Sequence, residues 1–191
     1  MTPEYKTIAA DPPWKELGGC GRGTGNHYET IRDVSDILRV MVTAPCWHPA
    51  PVSHLWLWTT TTSLEDGLWL MRALGYTYKT FAVWAKLSQK GELMGGTGQY
   101  LHHTFEPILF GTRGQGARQL SPPTHGGRKD VIETVVKALR TSTHSEKPAE
   151  MYSLIGRVSL GTPRLECFAR APRLGWDTWG SGGYQHEADA T

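Results

Sequence analysis

An α/β fold with a largely parallel sheet is what this sequence predicts, and three observations carry the prediction. Short apolar runs alternate with helical patterns along most of the 191 residues. Proline- and glycine-rich stretches separate them, as at Pro45–Pro51 and Gly75. The first run, Lys6–Ala10, ends in Asp11-Pro12-Pro13-Trp14, which puts a rigid polar turn where open α/β sheets bind ligands.

The elements follow in order. Lys6–Ala10 reads as a buried strand. Lys15–His27 is a loop with glycines at 18, 19, 21, 23 and 25, expected to be a flexible lid beside the turn rather than a phosphate cradle. Ser35–Val42 carries the helical apolar pattern Ile37, Leu38, Met41 and is stopped by Pro45–Pro51. His54–Thr59 is a second strand. Ser63, with Asp66 three residues on, caps a helix through Leu74 that Gly75 ends. Thr77–Lys86 and Glu106–Phe110 are strands, Gly111–Lys129 is irregular, and Asp130–Val136 is a short strand. Lys147–Val158 is a helix with Pro148 in its first turn, and Arg164–Ala169 is the last strand. Beyond Gly180 the tail reads as loose, within a single domain spanning residues 1–191.

Composition narrows the function classes. A formal net charge of +2 is too small to mark a nucleic-acid binder by itself, so a polyanion would need a local basic patch. Cys20, Cys46 and Cys167 are widely spaced with no CxxC pair, which argues against a disulfide framework or a zinc site and for a reducing compartment. No apolar run approaches membrane-spanning length, and Met1-Thr-Pro-Glu does not open a signal peptide. The expected location is the cytoplasm.

Asp11-Pro12-Pro13-Trp14 offers a carboxylate, a proline carbonyl, a stiff backbone and a flat ring at one strand end. Each proline fixes its own φ and biases the preceding residue towards extended backbone, so the acceptors are held. Those groups suit the gripping of a planar exocyclic amine. A bare Pro-Pro-Trp would instead be a turn with a half-buried ring.

Six further segments turn this reading into a family resemblance. They are His27–Thr30, Leu55–Thr59, Gly75–Lys86, Gly98–Gly114, His144–Pro148 and Leu165–Arg170 followed by Gly175-Trp176. With Asp-Pro-Pro-Trp, and in this order, the sequence resembles the MT-A70 family of adenine N6-methyltransferases. The resemblance implies a permuted class I, Rossmann-like fold with the catalytic strand first and the cofactor-side strand last. It also implies S-adenosyl-L-methionine as cofactor and nucleic acid, DNA rather than RNA, as substrate.

The resemblance assigns roles residue by residue. Asp11 and the Pro12 carbonyl, stiffened by Pro13, accept the two N6 hydrogens, and Trp14 stacks on the base. Lys147 matches the lysine of the methionine carboxylate and Arg170 the arginine near the ribose. Glu166 is either a buried strand residue with a local partner or a cofactor contact, as Asp11 also is, and Phe168 and Ser181 complete the implied cofactor side. Ser181-Gly182 departs from the Asn-Gln pair of eukaryotic members, and Pro172 from their histidine. Only ten residues precede Asp11, so an upstream cofactor element of those members is expected to be missing.

Tyr28, Tyr100, His102 and His103 are implied substrate-pocket residues, with Glu106 organising the loop before it. Arg113, Arg118, Arg128 and Lys129 fall in a glycine- and proline-rich stretch without acidic residues, which suits phosphate contacts. No metal ligand set is expected. A homodimer is expected because a compact catalytic domain lacks its own target-recognition unit. The alternatives are the same reaction on RNA and a non-catalytic binding subunit.

Overall fold

The computed structural model describes residues 3–14, 33–96, 100–122, 132–140, 146–180 and 183–186. The glycine-rich loop with Cys20, the segment containing Tyr28, the stretch with Arg128 and Lys129, and Ser181 lie outside them.

Among the described residues, eight strands form one sheet in the order β5-β3-β4-β2-β1-β6-β7-β8. They are β1 (Tyr5–Ala10), β2 (Pro49–Trp58), β3 (Thr77–Leu87), β4 (Phe105–Arg113), β5 (Val135–Leu139), β6 (Arg164–Ala169), β7 (Asp177–Gly180) and β8 (Gly183–Gln185). The helices are α1 (Val34–Val42), α2 (Leu64–Ala73) and α3 (Ala149–Val158). β1 pairs in parallel with β2 on one side and β6 on the other. β6–β7 and β3–β5 are also parallel. β4 runs against both β2 and β3, and β8 against β7. Six of the eight strands therefore point one way, the mostly parallel sheet expected of the permuted fold.

Strand alternation sends successive side chains to opposite faces. On one face Ile8, Ala10, Leu55, Leu57 and Leu165 pack with Ile37 and Met41 of α1 and Leu70 and Met71 of α2. On the other, Ala9, Trp56, Trp58 and Ile108 pack with Met151, Leu154 and Ile155 of α3. Two buried cysteines, Cys46 and Cys167, belong to the first layer.

Local chemistry sets several boundaries. α1 begins where the Asp33 carboxylate accepts from the Ser35 N–H at 2.7 Å. Ser63 stands at the N-cap of α2 but makes no side-chain capping bond. Instead its N–H donates to Thr60 Oγ1 and its carbonyl accepts from the Thr59 hydroxyl. Gly75, at φ +84°, supplies the left-handed residue that ends the helix.

Differences from the sequence reading cluster around proline and the antiparallel strands. β2 begins at Pro49, inside the stretch read as a stop, because its prolines precede the segment that pairs with β4 from Ser53 onward. β4 continues to Arg113 and a 3₁₀ turn follows at Ala117–Leu120, both within the stretch read as irregular. The edge strand falls at Val135–Leu139 instead of Asp130–Val136, and β7 and β8 follow β6.

A buried polar cluster ties β2 to the end of α3. The Ala117 carbonyl can only accept, so His54 Nε2 donates to it at 2.8 Å and Nδ1 accepts from Ser159 Oγ at 2.8 Å. Trp56 Nε1 donates to the same hydroxyl at 2.9 Å. This histidine is structural, held neutral below its ordinary pKa by burial.

Candidate active site

The parallel strands β1 and β6 deliver their carboxyl ends side by side, with Ala10 opposite Cys167. The Asp11 N–H donates to the Cys167 carbonyl at 3.3 Å, which fixes the first residue of the turn against β6. Trp58 and Thr59 end β2 at the same edge. Because β4 runs the other way, its first residues, Phe105 and Glu106, arrive there too. A strand entering backwards thus brings a carboxylate to the edge where its neighbours end.

Lys147, just before α3, fills the space between them. Its Nζ lies 2.9 Å from Asp11 Oδ2 and 3.2 Å from Glu106 Oε2, and 5.0 Å from the centre of the Trp58 ring. Lys86 Nζ contacts the other Glu106 oxygen at 2.5 Å. Two carboxylates and two ammonium groups alternate, so the cluster is formally neutral. Burial would drive Lys147 down, but the two anions outweigh it and raise its pKa. Glu106 ends below its ordinary value, because both lysines outweigh its own desolvation. Asp11 ends above its ordinary value: desolvation dominates, Lys147 is shared, and Glu106 repels it.

The turn itself differs from the sequence reading in two ways. The Trp14 N–H donates to the Pro12 carbonyl at 2.8 Å, so that oxygen is not free and keeps one open lone pair. Trp14 is only 7% exposed, packs in the core, and donates from Nε1 to the Trp58 carbonyl at 2.8 Å. A ring so enclosed offers little face for stacking on a base; its part is to brace the Asp11–Pro12 turn against β2.

On the β6 side, Glu166 is 8% exposed and has local partners. Tyr152 donates to it at 2.6 Å and Arg173 at 2.7 Å, with the Arg173 guanidinium 3.4 Å from the Tyr152 ring centre. Arg173 and Tyr152 were not among the sequence candidates, which gave Arg170 as the arginine after the strand. Phe168 has φ 62°, unusual for a non-glycine residue, at an irregularity in the β6–β7 register, and its ring lies 5.3 Å from that of Trp179. Arg170 is exposed beyond this bend, and its charge is felt at Asp11.

The other substrate candidates divide. His103 is hydrogen-bonded through Nδ1 to Thr61 Oγ1, in the loop after β2 at the site edge. His102 is exposed and Tyr100 fully so. Arg113 and Arg118 are not gathered at Asp11. Arg113 pairs with Ser53 while Ile108 pairs with Trp58, five residues away, or about 17 Å along a strand. Arg118 donates to the Pro122 carbonyl beyond that far edge. The antiparallel direction of β4, which sequence pattern did not disclose, separates them. Among the described residues no cluster of three or more His, Cys, Asp and Glu is placed to hold a metal, and no helix is long and apolar enough to cross a membrane.

The donor set near Asp11 suits an anionic group. Lys147 is cationic and buried, and Trp58 Nε1, beneath it, has no acceptor among the described residues.

Comparison with known proteins covers most of the chain. The MT-A70 family model matches residues 5–182. A putative N(6)-adenosine-methyltransferase MT-A70-like protein of Medicago truncatula is 30% identical over 187 residues, covering 93% of this chain and 26% of that protein. The human N(6)-adenosine-methyltransferase catalytic subunit METTL3 is 30% identical over 184 residues, covering 93% of this chain and 28% of the subunit. The type II methyltransferase M.MunI of a Mycoplasma species is 29% identical over 127 residues, covering 66% of this chain and 48% of the enzyme. The chain therefore spans about a quarter of the length of the first two relatives and about half of the third. A match that runs from the first strand to the end of β7, over a site built on Asp11 and Lys147, has one reading: the chain belongs to the MT-A70 family of methyltransferases, which use S-adenosyl-L-methionine.

Proposed function

We propose that this chain methylates the N6 amine of adenine in DNA. The observation that carries the reading is the Asp11 carboxylate, fixed at the carboxyl edge between β1 and β6 with Lys147 at 2.9 Å. When bound, the cofactor would supply an electrophilic methyl on its sulfonium sulfur, with the neutral thioether as leaving group, for the N6 lone pair.

The chain's part is binding and orientation. Lys147 and Trp58 Nε1 would hold the cofactor's carboxylate, with Phe168, Arg170 and the Glu166–Arg173 pair on the adenosine side. Asp11 Oδ1, which has no ion-pair partner among the described residues, and the open lone pair of the Pro12 carbonyl accept the two N6 hydrogens. Those bonds draw the nitrogen away from planarity and aim its lone pair, a positioning and electrostatic contribution. The proton lost from the methylated nitrogen passes to Asp11 or to water.

A second reading has its own support: the plant and human relatives above are N(6)-adenosine methyltransferases, so RNA is the competing polymer. Tritium transfer from labelled cofactor to DNA and to RNA separates the two. Counts on DNA above those on RNA uphold the proposal, the reverse replaces it, and none on either returns the chain to a binding subunit. A homodimer in the cytoplasm belongs to the same reading, with the buried thiols of Cys46 and Cys167 suiting a reducing compartment.

A further inference from the structure

Tyr100 is 94% exposed and Leu101 77% exposed, side by side in sequence. Isolated apolar side chains at a surface are ordinary; the setting of this pair is not. They stand on a segment whose two stems are fixed. Leu93 bridges to Leu87 and Gly96 to His103, the Met94 N–H donates to the Lys86 carbonyl at 2.7 Å, and the Lys86 N–H donates to the Thr104 carbonyl at 3.0 Å. Thr61 holds His103. Glu106 follows Tyr100 by six positions, at most about 20 Å of chain, and touches Lys147 in the site. Exposed cations flank the same edge: Lys90 in the segment and Arg140, whose N–H donates to the Leu87 carbonyl at 3.0 Å.

We propose that Tyr100 and Leu101 form a wedge that enters the base stack of duplex DNA beside the target adenine and fills the space the adenine leaves. This rests on the reading of Asp11 as the acceptor of the adenine amine. A base inside a duplex cannot reach Asp11 until it leaves the stack, which costs a few kcal/mol. A filler must be apolar or aromatic, anchored at the rim, and free of packing within its own protein, so that insertion gives up no core contact. Tyr100 and Leu101 meet all three conditions, and Lys90 and Arg140 supply the charges that flanking phosphates require.

The test uses the full chain carrying Tyr100→Ala and Leu101→Ala, tritiated cofactor, a plasmid duplex, and heat-denatured strands of the same plasmid. Both side chains are exposed, so the thermal midpoint should not move. The expected result is a loss on duplex at least tenfold larger than the loss on single strands, with Tyr100→Phe and Leu101→Met restoring the duplex rate. Equal losses on both substrates, or no loss on duplex, overturn the wedge. So does a parent protein active only on single strands or only on RNA, although the single-strand result leaves the Asp11 reading standing. A parent inactive on every polymer removes that reading, and the wedge with it.

Discussion

Lys147 Nζ stands 2.9 Å from Asp11 Oδ2, and its side chain is only 10% exposed. The family's motif turn and the residue before α3 are thus one electrostatic unit, 136 positions apart in the chain (147 less 11). Burying an ammonium here costs little net only because two carboxylates share it, and burying Asp11 costs more because it receives only part of one cation. Asp11 therefore holds its proton more tightly than a free aspartate. That asymmetry makes the turn costly in stability and useful in chemistry.

Asp11→Asn is the first consequence. The substitution keeps the shape but removes the anionic acceptor, so methyl transfer should fall by about 100-fold or more. Stability should hold. The folded-state pKa of Asp11 lies above its unfolded value, so ionised Asp11 opposes folding at neutral pH. Asparagine removes that cost, while Lys147 keeps Glu106. Urea midpoints at pH 7 together with single-turnover rates check both halves; a large drop in midpoint would assign Asp11 a structural role instead.

Lys147→Met acts on the same unit from the other side. It leaves Glu106 with Lys86 alone and takes from Asp11 its ion-pair partner in a site largely closed to water, which should cost about 3 kcal/mol. Lys147 lowers the Asp11 pKa, so its loss raises that pKa further. The acid limb of kcat/KM should lie above the ordinary aspartate value of 3.8 in the parent and move to still higher pH in the variant. A pH–rate profile of both proteins decides this. An unmoved limb would mean that Asp11 is not the group whose ionisation sets the rate.

Much of this was legible in sequence because it depends on local pattern. β1, α2 and β6 fall within a residue or two of where apolar runs, Ser63 and Gly75 placed them, and Asp11 and Lys147, singled out by their motifs, meet at 2.9 Å. What sequence did not disclose depends on strand direction and on packing between distant segments. Periodicity looks the same for a strand running either way, so the reversal of β4 was hidden, and with it the placement of Arg113 and Arg118 at the far edge. The Trp14 indole reads as a stacking surface until Trp58 is seen to accept its N–H. The partners of Glu166, Tyr152 from α3 and Arg173 from beyond β6, depend on packing between separate segments, which no local pattern in the sequence carries.

Gly180 is a third point of test. A Cβ there would lie 1.9 Å from the Ala169 carbonyl oxygen and 2.8 Å from the Ala169 nitrogen, both backbone atoms that no rotamer change can move. Gly180→Ala should therefore push β7 off the end of β6 and cost about 2 kcal/mol or more. The same shift would disturb Phe168 and Arg170, so calorimetry should show weaker cofactor binding by the folded fraction. Gly75→Ala, a left-handed position with nothing within 4 Å, provides the control: about 1 kcal/mol of strain and unchanged cofactor affinity.

His54 makes a prediction about acid stability that does not involve the site. It is fully buried, donates to Ala117 and accepts from Ser159, and has its pKa lowered first by burial and also by the Arg118 charge. Its folded pKa lies below its unfolded value of 6.5, so the unfolded chain binds the proton first as pH falls. The stability tied to neutral His54 is complete above pH 6.5 and declines below it, towards the folded pKa. His54→Leu should lose about 2 kcal/mol at pH 7, since the buried Ala117 carbonyl loses its donor. It should then lose less than the parent between pH 6.5 and pH 5, because no proton is left to drive unfolding at that position. Urea midpoints of the two proteins across that interval should converge. Parallel lines would show that the folded and unfolded histidine take up the proton at the same pH, and diverging lines that the ring is already protonated where it sits, with both nitrogens donating.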